Sequence, residues 1–600
     1  MSDSTDDIAT KYGGQDSTEY EHGDDELADP VIGDDSLGHV ALKDSQLFVG
    51  RSEMQIIAYI DQHERDGLRV GNYVSIPYPD ATTEPNEDEV LLAAIDRLEY
   101  RPITEINDWV DGGGYSDFGE QNLAYVSHLD PIAIVEHDRL EDTLSRQTVD
   151  RPPKPGEDVH LIEDEEVLRI GLNIPSDGIY IGDMAVSGDL VPNDENPLTY
   201  LLSNPNSTDG TADEGEPAIF RHILVAGSTG KGKTHFSKNI LRQCAVSKQY
   251  PIEVPPEEQE AFSIDDDIRH RYLNLFVIDP EDEYVEMRED NPELSPEKAQ
   301  ELEDKGVAIG GLDDDLQVFA PVTANSQPTL DDIRTFGIPF SVVENRPQLL
   351  LSSRPQDPTF NAIRNVLNAY FGQFDDDSDD EPTYNDFETW LDLNGDQIVD
   401  NDNILAAVER RVTGPIYNRV FDHGTTSLDE YTNDMFNRGQ VTVVPTGHLR
   451  GETEKLVLLA LMTHIVENKI DTGVEHPQIK GTPLLLCVDE AHEYLSSTDR
   501  PREQYLVQNF RQAAKRGRKD KFGLYMVTQN PQDIDDEILK QTNTRIYLGL
   551  QPEVVERIRI PADYEDQIVT FDKGQAVVDA PDVRPVEVQG LEVCVTHHSN

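Results

Sequence analysis

HILVAGSTGKGKTHF, residues 222–236, reads as a short apolar strand, a glycine-rich turn and the opening of a helix. The turn has the form Gly227-x-x-x-x-Gly232-Lys233-Thr234, and chemistry explains the spacing. Gly227, Gly230 and Gly232 let the chain curl tightly. Backbone N–H groups along the turn, those of Ser228, Thr229 and Lys231 among them, can then close around phosphates at the positive end of the helix. Lys233 is placed to reach the β- and γ-phosphates, and the Thr234 hydroxyl to hold Mg²⁺. The expected cofactors are ATP and Mg²⁺. A chance glycine turn would lack the strand before it and the helix after it; both are present.

Outward from this turn the pattern is that of strands alternating with helices, the sign of a parallel α/β sheet. Apolar runs suggest buried strands at His222–Ala226, Leu275–Ile278, Leu316–Ala320, Val441–Val444, Leu484–Val488, Leu524–Thr528 and Ile546–Leu548. The fifth run, inside PLLLCVDEAHEYL (residues 483–495), ends in two carboxylates. Asp489 is expected to bind Mg²⁺, and Glu490 to orient and polarise an attacking water. Carboxylates at a strand's C-terminal end stand where α/β sheets bind their ligands. In so acidic a chain they could simply be solvated, but the upstream phosphate loop makes them the second half of one site. LYMVTQNP (residues 524–531) ends a further strand in Gln529, whose amide could sense the γ-phosphate.

The chain has 600 residues, too many for one core, so two or more domains are expected. Its 49 basic and 118 acidic residues give a net charge of −69. Such charge often means disorder, but the regularly spaced apolar strands argue for a folded protein with an acidic surface, of the kind that stays soluble in a salt-rich, halophilic cytoplasm. Cys244, Cys487 and Cys594 form no CxxC pair and suit a reducing interior. No stretch of eighteen apolar residues occurs, so a soluble cytoplasmic protein without a membrane partner is expected.

The expected organisation begins with a disordered acidic tail, residues 1–36. An N-terminal β-barrel domain follows over 37–203, carried by runs such as Gln55–Ile60, Val90–Ile95, Asn122–Val126, Ile132–Val135 and Glu166–Leu172. An acidic linker covers 204–216. The ATPase core occupies 217–325 and 439–560, split by a helical insertion at 326–438 that carries the run DDDSDDE (Asp375–Glu381). Residues 561–600 read as an extended segment.

HILVAGSTGKGKT (222–234), FVIDPEDEY (276–284), LLLCVDEAHEYL (484–495) and AAKRGRKDKFGLYMVTQNP (513–531), in this order, resemble the HerA branch of the HerA/FtsK superfamily of hexameric DNA translocases. The resemblance implies a RecA-like P-loop ATPase core with a mainly parallel sheet, a helical insertion and a small preceding barrel. It also implies a homo-hexameric ring around double-stranded DNA and a partner nuclease of the NurA type. In the family the second motif reads D-x-(H/K)-G-E-Y. Asp279 and Glu283 match it, but Glu281 and Asp282 replace the basic residue and the glycine, which removes a basic contact there.

Arg511, Lys515, Arg516, Arg518, Lys519 and Lys521 put six cations into eleven positions of a chain that averages about one in twelve. The available anions are a neighbouring subunit's ATP and a DNA backbone. By resemblance, Arg518 in Gly517-Arg518-Lys519 is the expected arginine finger acting in trans, with Arg516 second. DLNGDQIVDNDN (392–403) imitates a calcium loop but has Gln397 where the turn needs glycine and Asn403 where a bidentate acid belongs. His492 has no partner histidine at helical spacing, so it reads as a positioning or packing residue.

Together these residues point to an ATP-driven DNA translocase or helicase acting in end processing or repair. The readings weighed against it are a packaging- or conjugation-type motor and a nucleotide-switch subunit of a defence complex.

Overall fold

The computed structural model describes residues 36–597 apart from 42–46, 51–53, 62, 79–86, 103–118, 121–122, 139, 206–215, 246–247, 263–267, 375–380, 472–473, 582 and 592. The expected acidic tail up to residue 35, most of the linker and most of the DDDSDDE run lie outside the described residues.

Six antiparallel strands close a barrel. Ser36–Val40 pairs with Met54–Ile60 and with Asp158–Leu161; the ring continues through Tyr73–Pro77, Glu87–Pro102 and Leu123–Asp138, which returns to Met54–Ile60. Period-two alternation sends Ile56, Ala58 and Ile60 inward to one core with Val74, Leu91 and Val159. Three sequence expectations change here. The runs expected at Asn122–Val126 and Ile132–Val135 fall, from Leu123 on, in one long strand, Leu123–Asp138. Glu166–Leu172 is not a strand but part of an α-helix, Glu165–Leu172. Asp164 caps it by accepting from the N–H groups of Glu166 and Val167, and its buried residues Val167, Leu168, Gly171 and Leu172 follow helical rather than alternating spacing. Finally, Gly178–Val186 and Thr199–Ser203, inside the span expected for the barrel domain, pair with each other, and Gly178–Val186 pairs with Val586–Gln589 of the extended C-terminal segment. They belong to the large sheet, so the barrel ends well before residue 203.

The large sheet has a parallel centre of seven strands in the order Thr544–Leu548, Ile223–Ala226, Phe522–Thr528, Leu484–Val488, Asn274–Asp279, Val441–Pro445, Leu316–Pro321. These are the seven apolar runs of the sequence. Beyond Thr544–Leu548 the sheet turns antiparallel through Gln575–Asp579 and Val586–Gln589. The fold is thus α/β with a mainly parallel, RecA-like core preceded by a small barrel. Between Leu316–Pro321 and Val441–Pro445 lie the helices Asp357–Phe371, Tyr384–Ile398, Asp402–Val412, Pro415–Val420 and Leu428–Met435. Rings of Phe340, Tyr370, Tyr384, Phe387 and Phe421 pack among them. The calcium-like sequence does not form a loop. Asp392, Asn394 and Asp396 sit on a helix that continues to Ile398, and Asn401 caps the next one.

The helix Glu452–Ile470 is buried along nearly its whole length, Leu456 to Val466 on every side, because it lies between the sheet and the insertion. Among the described residues no helix is long and apolar enough to cross a membrane.

Candidate nucleotide site

Parallel strands all point their C-terminal ends to one edge, and that edge gathers the phosphate loop after Ala226, Asp489 after Val488 and Gln529 after Thr528. The strand Phe522–Thr528 lies between the phosphate-loop strand and the carboxylate strand. Gln529 therefore stands between the two halves of the site.

Gly230 and Gly232 adopt left-handed backbone, φ +79° and +89°, which any side chain would strain. Gly227 is packed so closely that an added Cβ would come 2.9 Å from Cβ of Leu548. Helix Lys233–Cys244 starts at Gly232 with no side-chain cap, so its first N–H groups remain available to an anion. The loop is braced from outside. Gly227 N–H donates to the Thr528 carbonyl, Ser228 N–H to the Gly549 carbonyl, and Lys231 Nζ to the Phe571 carbonyl at 2.6 Å. Lys231 thus supports the loop through its side chain. Lys573 stands over the same loop, its Cγ 3.3 Å from where a Cβ on Gly232 would lie. Nothing in the spacing of FDKGQ, some 340 residues downstream, marks it as a neighbour of the loop.

Lys233 is only 8% exposed. Burial pulls its pKa down, while the carboxylates of Glu490, Asp489 and Glu283 pull it back up. Thr234 is half-buried in the first helical turn. Asp489 is buried, and burial pushes its pKa up to about 7; Glu490 and Glu283 push the same way, against the Glu490 N–H bond and Lys233. A cation at this carboxylate would restore its charge, which is the behaviour required of a Mg²⁺ ligand.

Glu490 is held in left-handed backbone, φ +46° and ψ +43°, a conformation that costs a non-glycine residue about 1–3 kcal/mol and clusters at functional sites. The turn aims its carboxylate at Gln529. Gln529 Nε2 donates to Glu490 Oε1 at 2.7 Å, and Thr229 Oγ1 donates to Gln529 Oε1 at 2.6 Å. Glu490 Oε2 is buried with no hydrogen-bond partner; His492 Nδ1 lies 3.4 Å away and shares itself with Thr528 Oγ1 at 3.2 Å. His492 is therefore a neighbour that positions Glu490. The string Thr229–Gln529–Glu490 joins phosphate loop to carboxylate, and only the fold reveals it. An open cavity of about 420 Å³ adjoins Glu490 and Gln529, lined also by Lys455, His492 and Tyr494.

Asp279 is fully buried, its two carboxylate oxygens accepting from the N–H groups of Glu283 and Tyr284 at 3.0 and 2.8 Å. It caps the turn that follows its strand. Glu283 is exposed and acts electrostatically on both Lys233 and Asp489.

Arg518 is not brought to this site. It precedes the strand Phe522–Thr528, so it sits at the opposite, N-terminal edge of the sheet, beside His222 and a strand's length, roughly 15 Å, from its own loop. It is 55% exposed, with Glu216 Oε2 at 3.5 Å. The rest of the cluster divides. Arg511 binds Asp535 through two nitrogens and Lys515 faces Glu537. Arg516 donates to the Ile470 carbonyl, and Lys521 lies over the Phe220 ring.

Residues 214–465 match the family model for the central domain of helicase HerA, and residues 433–556 match the HerA-like C-terminal model. The DNA double-strand break repair helicase HerA of Saccharolobus solfataricus is 25% identical over 175 residues, 27% of this chain and 34% of that protein; the chain thus spans about a third of the length of that relative. Among solved structures, the bacterial conjugative coupling protein TrwBΔN70 in its unbound monoclinic form is 12% identical, covering 70% of this chain and 92% of that one at a TM-score of 0.37. VirB4 of Thermoanaerobacter pseudethanolicus is 13% identical, covering 70% and 97% at a TM-score of 0.41. Neither score is high enough to bear on the assignment, which rests on the two HerA models; together they span residues 214–556, more than half of the chain. The chain belongs to the HerA family.

Proposed function

We propose that the chain is an ATP-hydrolysing motor that moves on double-stranded DNA as a homo-hexameric ring. Its place is in DNA end processing or repair, in a salt-rich cytoplasm, with a nuclease partner of the NurA type. The observation that carries the ATPase reading is the bond string from Thr229 through Gln529 to Glu490, which leaves Glu490 Oε2 buried without a hydrogen-bond partner beside the phosphate loop. A carboxylate oxygen so placed can take a proton from a water, and Gln529, touching both loop and base, can couple its position to the γ-phosphate. Lys233 and the uncapped N–H groups at the start of its helix would hold the phosphates, the N–H groups of Ser228 and Lys231 being bonded to carbonyls of Gly549 and Ser228 instead, and Thr234 and Asp489 would hold the Mg²⁺. The metal would supply charge neutralisation at the β- and γ-oxygens.

The ring is supported by the position of Arg518. A cation on the edge opposite its own loop can serve ATP only in another subunit. The family's helicase description, and the repair role printed for the Saccharolobus relative, favour DNA as the track. The test is phosphate release at molar KCl with and without duplex DNA. Turnover stimulated by DNA is the expected result. ATP binding that assembles the protein without DNA-stimulated turnover would refute the motor and favour a nucleotide switch.

A further inference from the structure

Away from the candidate nucleotide site, Asp429, His464 and His476 bring three ligand atoms within 4.8 Å of one another. They come from three elements. Asp429 lies in the first turn of helix Leu428–Met435, His464 far along the buried helix Glu452–Ile470, and His476 directly before the short helix Pro477–Lys480. His464 Nδ1 is 3.9 Å and His476 Nε2 is 3.7 Å from the same oxygen, Asp429 Oδ1. The two imidazole centroids are 4.8 Å apart. Direct hydrogen bonds would be nearer 3 Å. Atoms bound to one tetrahedral Zn²⁺ at about 2.0–2.2 Å would stand roughly 3.4 Å apart, so a modest inward turn of exposed Asp429 and half-buried His476 closes the set.

The environment of His464 sets which nitrogen is free. Its Nε2 is 3.1 Å from Thr432 Oγ1, and that hydroxyl donates its one hydrogen to the Leu428 carbonyl at 2.9 Å. The hydroxyl oxygen must then accept, so Nε2 carries the ring proton and Nδ1 presents a bare lone pair toward Asp429. His464 is 1% exposed. A metal ion between them would satisfy both this buried lone pair and the carboxylate. A second-sphere hydrogen bond to the far nitrogen is also what fixes the tautomer of metal-binding histidines. Arg346, whose field reaches both Asp429 and His464, is itself paired with Glu467.

We propose that Asp429, His464 Nδ1 and His476 bind one divalent transition-metal ion of the Zn²⁺ class, clasping the last helix of the insertion to the long helix of the ATPase core. Two imidazoles and a carboxylate suit Zn²⁺, with water in a fourth position, rather than Mg²⁺ or Ca²⁺. The site is remote from the phosphate loop in sequence, and its role is structural.

The full-length, nucleotide-free protein in molar KCl with excess Mg²⁺, which occupies adventitious carboxylate sites, is titrated with Co²⁺ and then Zn²⁺. A single equivalent should give visible d–d bands of a nitrogen-ligated, low-coordinate Co²⁺ ion. Zn²⁺ should displace it and raise the melting temperature. His476→Ala, at a half-buried position that should tolerate truncation, should lose both the bands and the Zn²⁺-induced shift while keeping its far-ultraviolet circular dichroism. Thr432→Val, which removes the partner of Nε2, should weaken binding about 10–100-fold. Absence of the bands in the parent, or equal uptake and spectra in parent and His476→Ala, would overturn the site and leave a hydrogen-bonded network of the three side chains.

Discussion

Replacing Glu490 by glutamine separates binding from chemistry at the nucleotide site. The amide is nearly isosteric, and its oxygen can accept from Gln529 Nε2 as Glu490 Oε1 does now at 2.7 Å. The string to Thr229 therefore survives, and with it the shape of the loop. What disappears is basicity at Oε2, the atom without a hydrogen-bond partner. A positioned general base is worth about 10²–10⁴ in rate, so Glu490→Gln should slow hydrolysis by that factor, about 3–5 kcal/mol on the barrier. Nucleotide binding should move the other way or not at all. The Glu490 charge is one of the influences that push Asp489 upward, after burial itself. Its removal eases ionisation of Asp489 and should hold or tighten Mg²⁺–ATP. Phosphate release measures the first effect, and equilibrium binding of a fluorescent ATP analogue the second. Hydrolysis at the parental rate would refute Glu490 as the base; loss of binding would refute the claim that the carboxylate is dispensable for the shape of the site.

Lys233→Ala should abolish turnover and weaken ATP binding in the same assays, because the buried ammonium proposed to hold the phosphates is lost. Arg518→Ala should bind ATP yet lose hydrolysis by about 10³–10⁵-fold, and mixing it with Lys233→Ala should restore phosphate release, since an intact loop can then adjoin an intact arginine; no recovery despite confirmed co-assembly would move the finger to Arg516 or elsewhere. Asp489 must ionise to bind metal, and burial holds it at about 7 in the metal-free protein. Mg²⁺–ATP affinity should therefore fall about tenfold per pH unit below about 7, read by titrating Mg²⁺ across pH. For folding the sign is opposite. A carboxyl raised from 3.8 to about 7 stabilises the metal-free fold at low pH, and that contribution is lost as pH rises through this window. With a net charge of −69, lowering KCl from molar to about 0.1 M should loosen the fold through self-repulsion, seen as loss of circular dichroism; full native signal at low salt would refute the halophilic reading.

The sequence alone determined the phosphate loop, the carboxylate pair and the seven central strands, because each is local. A glycine turn between strand and helix, or an apolar run ending in Asp489 and Glu490, is legible within about a dozen residues. Periodicity failed where the run was short, as at Glu165–Leu172, whose helix is fixed by the Asp164 cap. Strand order was not local information. Only the tertiary structure put Phe522–Thr528 between the loop strand and the carboxylate strand, and so made Gln529 a bridge to Thr229, 300 positions away. Tertiary pairing also moved Gly178–Ser203 out of the barrel, because those strands satisfy their backbone groups against each other and against Val586–Gln589. Burial also made Asp279, known from the sequence only as a motif match, the cap of the turn after its strand, its oxygens committed to two N–H groups. It was packing again, and not spacing, that brought Asp429, His464 and His476 from three elements onto one point.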